Sequence, residues 1–200
     1  MRIFLVRHGT TNLNERGVFS SNPNSDGLNE KGKEETLAIS CFLKDMELEL
    51  ISSPIKRAIE TAEIISMGRR IRVDDRLKEI HFGDWEGKEV KEINGYSKFF
   101  EDPVKNKIPR GEDPQKVLGR AMEVVKQVIE RGRDTVLVSH GFVILSILTK
   151  ALNMKLSDAF RLKVDTGSIS LMEYNDRLRV IYINLKPLLL KDLCKCLKSA

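Results

Sequence analysis

The sequence predicts a three-layer α/β/α domain whose central sheet is mostly parallel with an antiparallel edge strand. Three observations carry this. Residues 3–6 and 135–138 are short apolar runs without alternation, the pattern of strands buried on both faces beneath helices. Helical segments alternate with them in the order β-α-β-α-insertion-α-β-α-β-β. Residues 168–174 and 178–185 flank Asn175-Asp176-Arg177 and read as a closing hairpin or a pair of neighbouring strands.

The elements follow in order. The first strand, 3–6, stops at Arg7-His8-Gly9. Residues 10–28 are polar and turn-rich, with Asn22-Pro23-Asn24-Ser25-Asp26-Gly27 inside them, and read as a loop. Residues 29–44 are helical, with Asn29 as cap. A second strand at 48–52 leads into Ser53-Pro54, which predicts a helix with Ser as N-cap and Pro at its first position. Ile55, Ala58, Ile59, Ala62 and Ile65 then recur at helical spacing. Residues 71–73 suit a short edge strand. Residues 74–113 are richer in Gly, Pro and charge and read as a lid-like insertion, with helical pieces near 88–94 and 96–101. Val117, Leu118, Ala121, Val124, Val125 and Val128 make 114–131 an amphipathic helix, and a further helix follows the third apolar strand at 142–152. The expected organisation is one domain over 1–185 and a basic tail over 186–200, which reads as a short amphipathic helix with a solvated Lys face.

Composition removes several classes. Of 200 residues, 41% are hydrophobic and 32% charged, too apolar for a disordered chain and long enough to bury a core without disulfides. The net charge is +5, and Lys186, Lys191, Lys195 and Lys198 concentrate the excess in the tail. The rest of the chain is too nearly neutral for a nucleic-acid footprint, although a local pocket for a small anion remains open. Cys41, Cys194 and Cys196 suggest no disulfide or zinc framework, and Cys194 and Cys196 read as incidental. The odd count, the absence of a signal-peptide pattern and the lack of an apolar run of about eighteen residues predict a cytoplasmic protein without a membrane span. The oligomeric state is left open, with a homodimer as one form it can take.

Three polar clusters directly follow apolar strands: Arg7-His8-Gly9, Ser52-Ser53-Pro54 leading to Lys56-Arg57, and Ser139-His140-Gly141. Open α/β sheets bind ligands at the carboxyl ends of their strands, so these clusters are expected to meet. Two His and one or two Arg near helix N-termini describe a site for a phosphate dianion. Zinc is disfavoured, because Arg7 beside the imidazole costs Coulomb energy and no ligand spacing supports it. The better reading is nucleophilic catalysis. A neutral imidazole attacks phosphorus and forms phosphohistidine, splitting one displacement into two. Cations beside the ring favour its unprotonated form and stabilise charge on the moving phosphoryl group. The leaving alkoxide needs a proton from a carboxylic acid. Asp26, Asp75, Glu79, Asp84 and Glu86 are candidates, and the residues alone do not choose among them. The stretch from 77 to 87 sets several of these carboxylates beside Phe82 and Trp85, which read as packing residues. His81 reads as a partly buried loop residue.

These residues resemble the histidine phosphatase superfamily, the group that includes cofactor-dependent phosphoglycerate mutase. The resemblance spans residues 2–185. It is carried by Leu5-Val6-Arg7-His8-Gly9-Thr10 with Asn14, Ser52-Ser53-Pro54 with Arg57-Ala58 and Thr61-Ala62, Leu77-Lys78-Glu79 with Phe82-Gly83-Asp84-Trp85-Glu86-Gly87, and Val138-Ser139-His140-Gly141. It implies that His8 is the phosphorylated nucleophile, that Arg7, Arg57 and His140 hold the phosphate, and that Glu79 is the general acid and later the base. It implies phosphate contacts for Asn14 and Ser20 and a backbone N–H from Gly141. Pro109-Arg110-Gly111-Glu112 resembles a Pro-Gly-Gly-Glu element, and Arg110 in place of the first Gly would add a cation for the substrate. The resemblance further implies a phosphoglycerate mutase-like fold, a small phosphorylated metabolite as partner, and no metal or other cofactor.

Within that family the short chain, Ile80 where mutases carry Arg after the acid, and the Phe82–Gly87 stretch favour the phosphatase branch. Relatives with this pattern include α-ribazole phosphatases, phosphoserine phosphatases and broad-specificity acid phosphatases. The alternatives are a cofactor-dependent mutase and a non-catalytic phospholigand-binding module.

Overall fold

A computed structural model describes residues 1–187; the expected tail beyond them, with Cys194 and Cys196, lies outside the described residues. Strands β1 (Arg2–Arg7), β2 (Glu49–Ser52), β3 (Ile71–Val73), β4 (Thr135–Ser139), β5 (Ile169–Asn175) and β6 (Arg177–Leu185) form one sheet in the order β3-β2-β4-β1-β5-β6. The first four run parallel. The hairpin β5-β6 closes one side, with β5 antiparallel to β1. The expected fold class therefore holds, with β3 at the opposite edge.

The central strands are apolar in their middles because both faces are covered, and their two-residue period divides the core. Ile3 and Leu5 of β1 join Ile51 and Leu137 in one cluster, packed on α5 (Pro114–Arg131) and α6 (Gly141–Ala151). Phe4 and Val6 join Val136 and Val138 in the other, against α2 (Glu30–Leu43) and α3 (Lys56–Ser66). The helix boundaries follow from local chemistry. Asn29 caps α2 by accepting the Gly32 N–H at 2.9 Å. Asp113 caps α5, Pro114 opens it, and Gly132 ends it at φ 69°. Helix α6 is buried from Gly141 through Thr149, in keeping with its uniform apolarity.

Five local expectations are corrected. The 10–28 loop contains a short helix, α1 (Asn12–Arg16), which buries nothing and is held by a reciprocal Thr11/Asn14 capping box. Ser53 does not cap α3. Ile55 occupies that position; the Ser53 hydroxyl accepts the Ile55 N–H at 3.3 Å just ahead of the helix and meets His140 Nε2 at 2.7 Å. The helical piece near 88–94 is a single 3-10 turn at Val90–Glu92, whereas α4 (Tyr96–Glu101) lies where expected. Cys41 is disulfide-bonded, contrary to the expectation that the cysteines form no disulfide. Lys186, expected on a solvated tail, reaches the buried Glu35 carboxylate at 3.4 Å. Among the described residues, no helix is long and apolar enough to cross a membrane.

Candidate active site

Strand register brings the three clusters together. Arg7 pairs with Ser139 and Ser52 with Val138, so β1, β2 and β4 end at one level. Backbone bonds carry the alignment past the strands: His8 N–H donates to Ser139 C=O at 3.1 Å, and Ser53 N–H to Val138 C=O at 2.9 Å. The turn after β1 lies directly on α2. A Cβ on Gly9 would meet the Gly32 carbonyl oxygen, and one on Gly32 would meet the Thr10 backbone, so both positions require glycine. Thr61 fixes the same turn, accepting from Gly9 N–H at 3.1 Å while donating to Arg57 C=O at 2.8 Å.

The His8 ring is anchored in one tautomer. Its Nδ1 lies 2.8 Å from Gly9 C=O, which can only accept, so Nδ1 carries the proton and Nε2 the lone pair. Arg57 Nε donates to that lone pair at 3.0 Å. The rest of the Arg57 fork is held by Ser25 Oγ and Ser20 C=O, each at 2.8 Å. Arg7 donates from Nη1 to Val164 C=O at 2.7 Å, and its buried Nε has no partner among the described residues. His140 is fully buried, its ring centroid 5.1 Å from that of His8. Its Nε2 meets Ser53 Oγ at 2.7 Å, and its buried Nδ1 has no partner among the described residues. Two cations and two imidazoles, with Arg7 Nε and His140 Nδ1 unpartnered among the described residues, make a preformed cradle for an anion.

Burial, reinforced by Arg57 and Arg7, holds the His8 pKa well below the ordinary 6.5. Burial holds His140 well below it too, with Arg57, His8 and Arg7 adding to the effect. The unfolded chain takes up these protons near pH 6.5, and the folded chain does so only at lower pH. Stability therefore falls as pH drops from 6.5 toward the depressed folded values, by up to about 2.7 kcal/mol per pH unit for both rings. Urea unfolding at pH 7.5 and 5.5 checks this: the expected midpoint is lower at pH 5.5, and an equal or higher midpoint there refutes it.

Glu79 faces the same cavity and is 9% exposed. Its Oε1 accepts the Ile80 N–H at 3.0 Å and its Oε2 the Phe142 N–H at 3.3 Å, the latter in the first turn of α6. Its segment is fastened by Ser139 Oγ donating to Leu77 C=O at 2.8 Å and by Arg120 donating to Arg76 C=O at 2.6 Å and Glu79 C=O at 3.3 Å. The other carboxylate candidates are engaged elsewhere. Glu86 binds Ser21 and Asn22, Asp26 accepts from Leu13 N–H, Asp75 pairs with Lys78, and Asp84 pairs with Arg110. None of these four lines the cavity.

The cavity encloses about 630 Å³ and is lined by Arg7, His8, Arg57, Glu79 and Gly141, with Asn14 and Ser20 also on its wall. His140 lies behind that wall. The Asn14 side-chain oxygen is occupied by Thr11, and Ser20 contributes its carbonyl to Arg57. Arg110 is not brought to the cavity, contrary to expectation. It sits in a left-handed turn at φ 55°, is 85% exposed, and pairs with Asp84. His81 is exposed rather than partly buried, and Phe82 and Trp85 pack in the core as expected. Among the described residues, no group of three or more His, Cys, Asp or Glu is arranged to hold a metal ion.

Sequence reasoning gave no site-positioning role to Ser53 or Thr61, which it noted only as a cap and as motif residues, and passed over Arg120 and Glu35. Buried Glu35 accepts from both Thr10 N–H at 3.0 Å and Thr10 Oγ1 at 2.8 Å, which steadies the turn after His8. A buried carboxylate must be hydrogen-bonded, so a Glu on the inner stripe of α2 was the available signal.

Known proteins resemble this chain in sequence and fold. A 2,3-bisphosphoglycerate-dependent phosphoglycerate mutase of Thermoplasma acidophilum is 28% identical over 173 residues, which cover 84% of this chain and 85% of its own. Among solved structures, Bacillus stearothermophilus YhfR superposes with a TM-score of 0.84 at 29% identity, over 93% of this chain and 98% of its own. The α-ribazole phosphatase of Shigella flexneri gives 0.81 at 25% identity, over 93% of this chain and 97% of its own. Residues 3–184 match the histidine phosphatase superfamily (branch 1), and the chain belongs to that family.

Proposed function

We propose that the protein is a phosphomonoesterase that hydrolyses small phosphate esters through a phosphohistidine on His8. The observation that carries this reading is the His8 ring, pinned through Nδ1 with its Nε2 lone pair turned to Arg57 in a cavity that Arg7 and Glu79 also line. The ester phosphate takes the N–H donors of Arg57 and Arg7, and His140 Nδ1 supplies another from behind. Arg57 thereby releases the Nε2 lone pair. Nε2 attacks phosphorus, the bond from phosphorus to the ester oxygen breaks, and Glu79 gives its proton to the departing oxygen. Water then attacks the phosphohistidine, Glu79 takes the proton from it, and the N–P bond breaks to release inorganic phosphate and neutral His8. The two arginines offset the charge spreading over the phosphoryl oxygens without a metal.

The Thermoplasma mutase makes a mutase the second reading. The two differ in what receives the phosphoryl group. Ile80, buried and next to Glu79 on the cavity lining, supports water as the acceptor, since mutases of the family carry Arg at that position. Incubation with a ³²P-labelled phosphoester decides. A phosphatase shows transient acid-labile protein label and free phosphate, a mutase holds the label until an acceptor arrives, and a binding module shows none. Turnover is expected to persist in excess EDTA; loss under the chelator would count against the mechanism.

A further inference from the structure

Beyond the phosphate cradle the cavity becomes apolar. Phe19, Phe99 and Phe100 of α4, Phe142 of α6, and Phe160 of the 3-10 segment Leu156–Arg161 all line it. Their rings form a continuous wall: Phe100 and Phe160 have centroids 4.6 Å apart, Phe142 and Phe160 5.7 Å, and Phe19 and Phe100 6.4 Å. Phe100 is 38% exposed, a large apolar ring left at the rim. Aromatic surface open to water in a concave site gains when an apolar ligand covers it.

The cations of the cavity are distributed unevenly. Arg7 and Arg57 belong to the phosphoryl end. Lys163 also lines the cavity, but it is 79% exposed and paired with Asp165 at 3.2 Å. Arg110, the cation that the resemblance offered for the substrate, is turned away to Asp84. A leaving group bearing a carboxylate would thus set a second anion among phenylalanine rings, beside a cation that already has a partner.

We infer that the leaving-group half of the cavity takes an uncharged, apolar alcohol, so that the preferred substrates are phosphate esters of aromatic or arylalkyl alcohols rather than of hydroxy acids. This inference rests on the phosphomonoesterase reading and names the substrate class for that site. The Phe wall would pack the ring of the alcohol, and Glu79 would protonate its oxygen as it leaves.

The test compares benzyl phosphate with 3-phosphoglycerate. Both release an alkoxide, so the comparison reports recognition rather than phenol acidity. The expected kcat/KM is about 10-fold to 100-fold higher for benzyl phosphate, the range that apolar pocket contacts supply. Phe100→Ala, at the partly exposed rim, and Phe160→Ala are each expected to narrow that ratio by lowering the benzyl value more. An equal or higher value for 3-phosphoglycerate, or a ratio that neither variant moves, overturns the inference while leaving esterase activity intact. Turnover of neither ester overturns the esterase reading and this inference with it.

Discussion

His8→Ala is expected to remove acid-labile protein phosphate and to lower kcat by on the order of 10⁴-fold or more, the scale seen when a covalent nucleophile is lost. The loss is large because no neighbouring group is placed to substitute. His140 presents Nε2 to Ser53 and lies behind the cavity wall. Arg7 and Arg57 remain protonated although burial lowers both of their pKa values from the ordinary range. The variant must also be shown to fold, since His8 is buried and its Nδ1–H satisfies the Gly9 carbonyl. His8→Asn serves here. Its side-chain amide retains a donor for that carbonyl but has no nucleophilic nitrogen, so it is expected to unfold near the wild-type midpoint and to be equally inactive. Phosphate release by either folded variant at a rate near wild type would sink the phosphohistidine mechanism.

What the sequence revealed and what it hid have separate physical causes. Residues 3–6 and 135–138 are legible because a strand buried on both faces must be apolar at every position, whatever surrounds it. Once β1, β2 and β4 are assigned parallel, the carboxyl-end rule places Arg7, Ser52 and Ser139 side by side, as their register has them. Contacts between distant segments were hidden. The bond between Ser53 and His140 joins residues 87 apart, and no local pattern announces it. Helix α1 rests on a capping box rather than a buried stripe, so it left no apolar period to find. Arg110 looked available as a cation for the substrate because no local pattern shows which way a left-handed turn aims a long side chain. The phenylalanine wall draws on four separate segments and has no signature in any one of them.

The choice among the carboxylates is where a mutation separates chemistry from packing most clearly. Glu79→Gln keeps an oxygen for one of the two backbone N–H groups that bind the carboxylate, but it turns an amide N–H₂ toward the other. The expected structural cost is thus one weakened hydrogen bond, about 1 kcal/mol. The expected chemical cost is larger. For benzyl phosphate the departing oxygen loses its proton donor, and kcat should fall by about 10²- to 10⁴-fold. For p-nitrophenyl phosphate the departing oxygen is stable without a proton, so the first step should be largely spared. The second step still lacks a base to activate water. Rapid mixing of the variant with p-nitrophenyl phosphate is therefore expected to release close to one equivalent of nitrophenol per site, followed by slow turnover as phosphohistidine accumulates. Asp84→Asn alters a carboxylate whose partner, Arg110, lies outside the cavity, and it should show neither the burst nor the leaving-group dependence. A Glu79→Gln enzyme that loses the same factor on both esters, without a burst, would assign Glu79 to holding the first turn of α6 rather than to proton transfer.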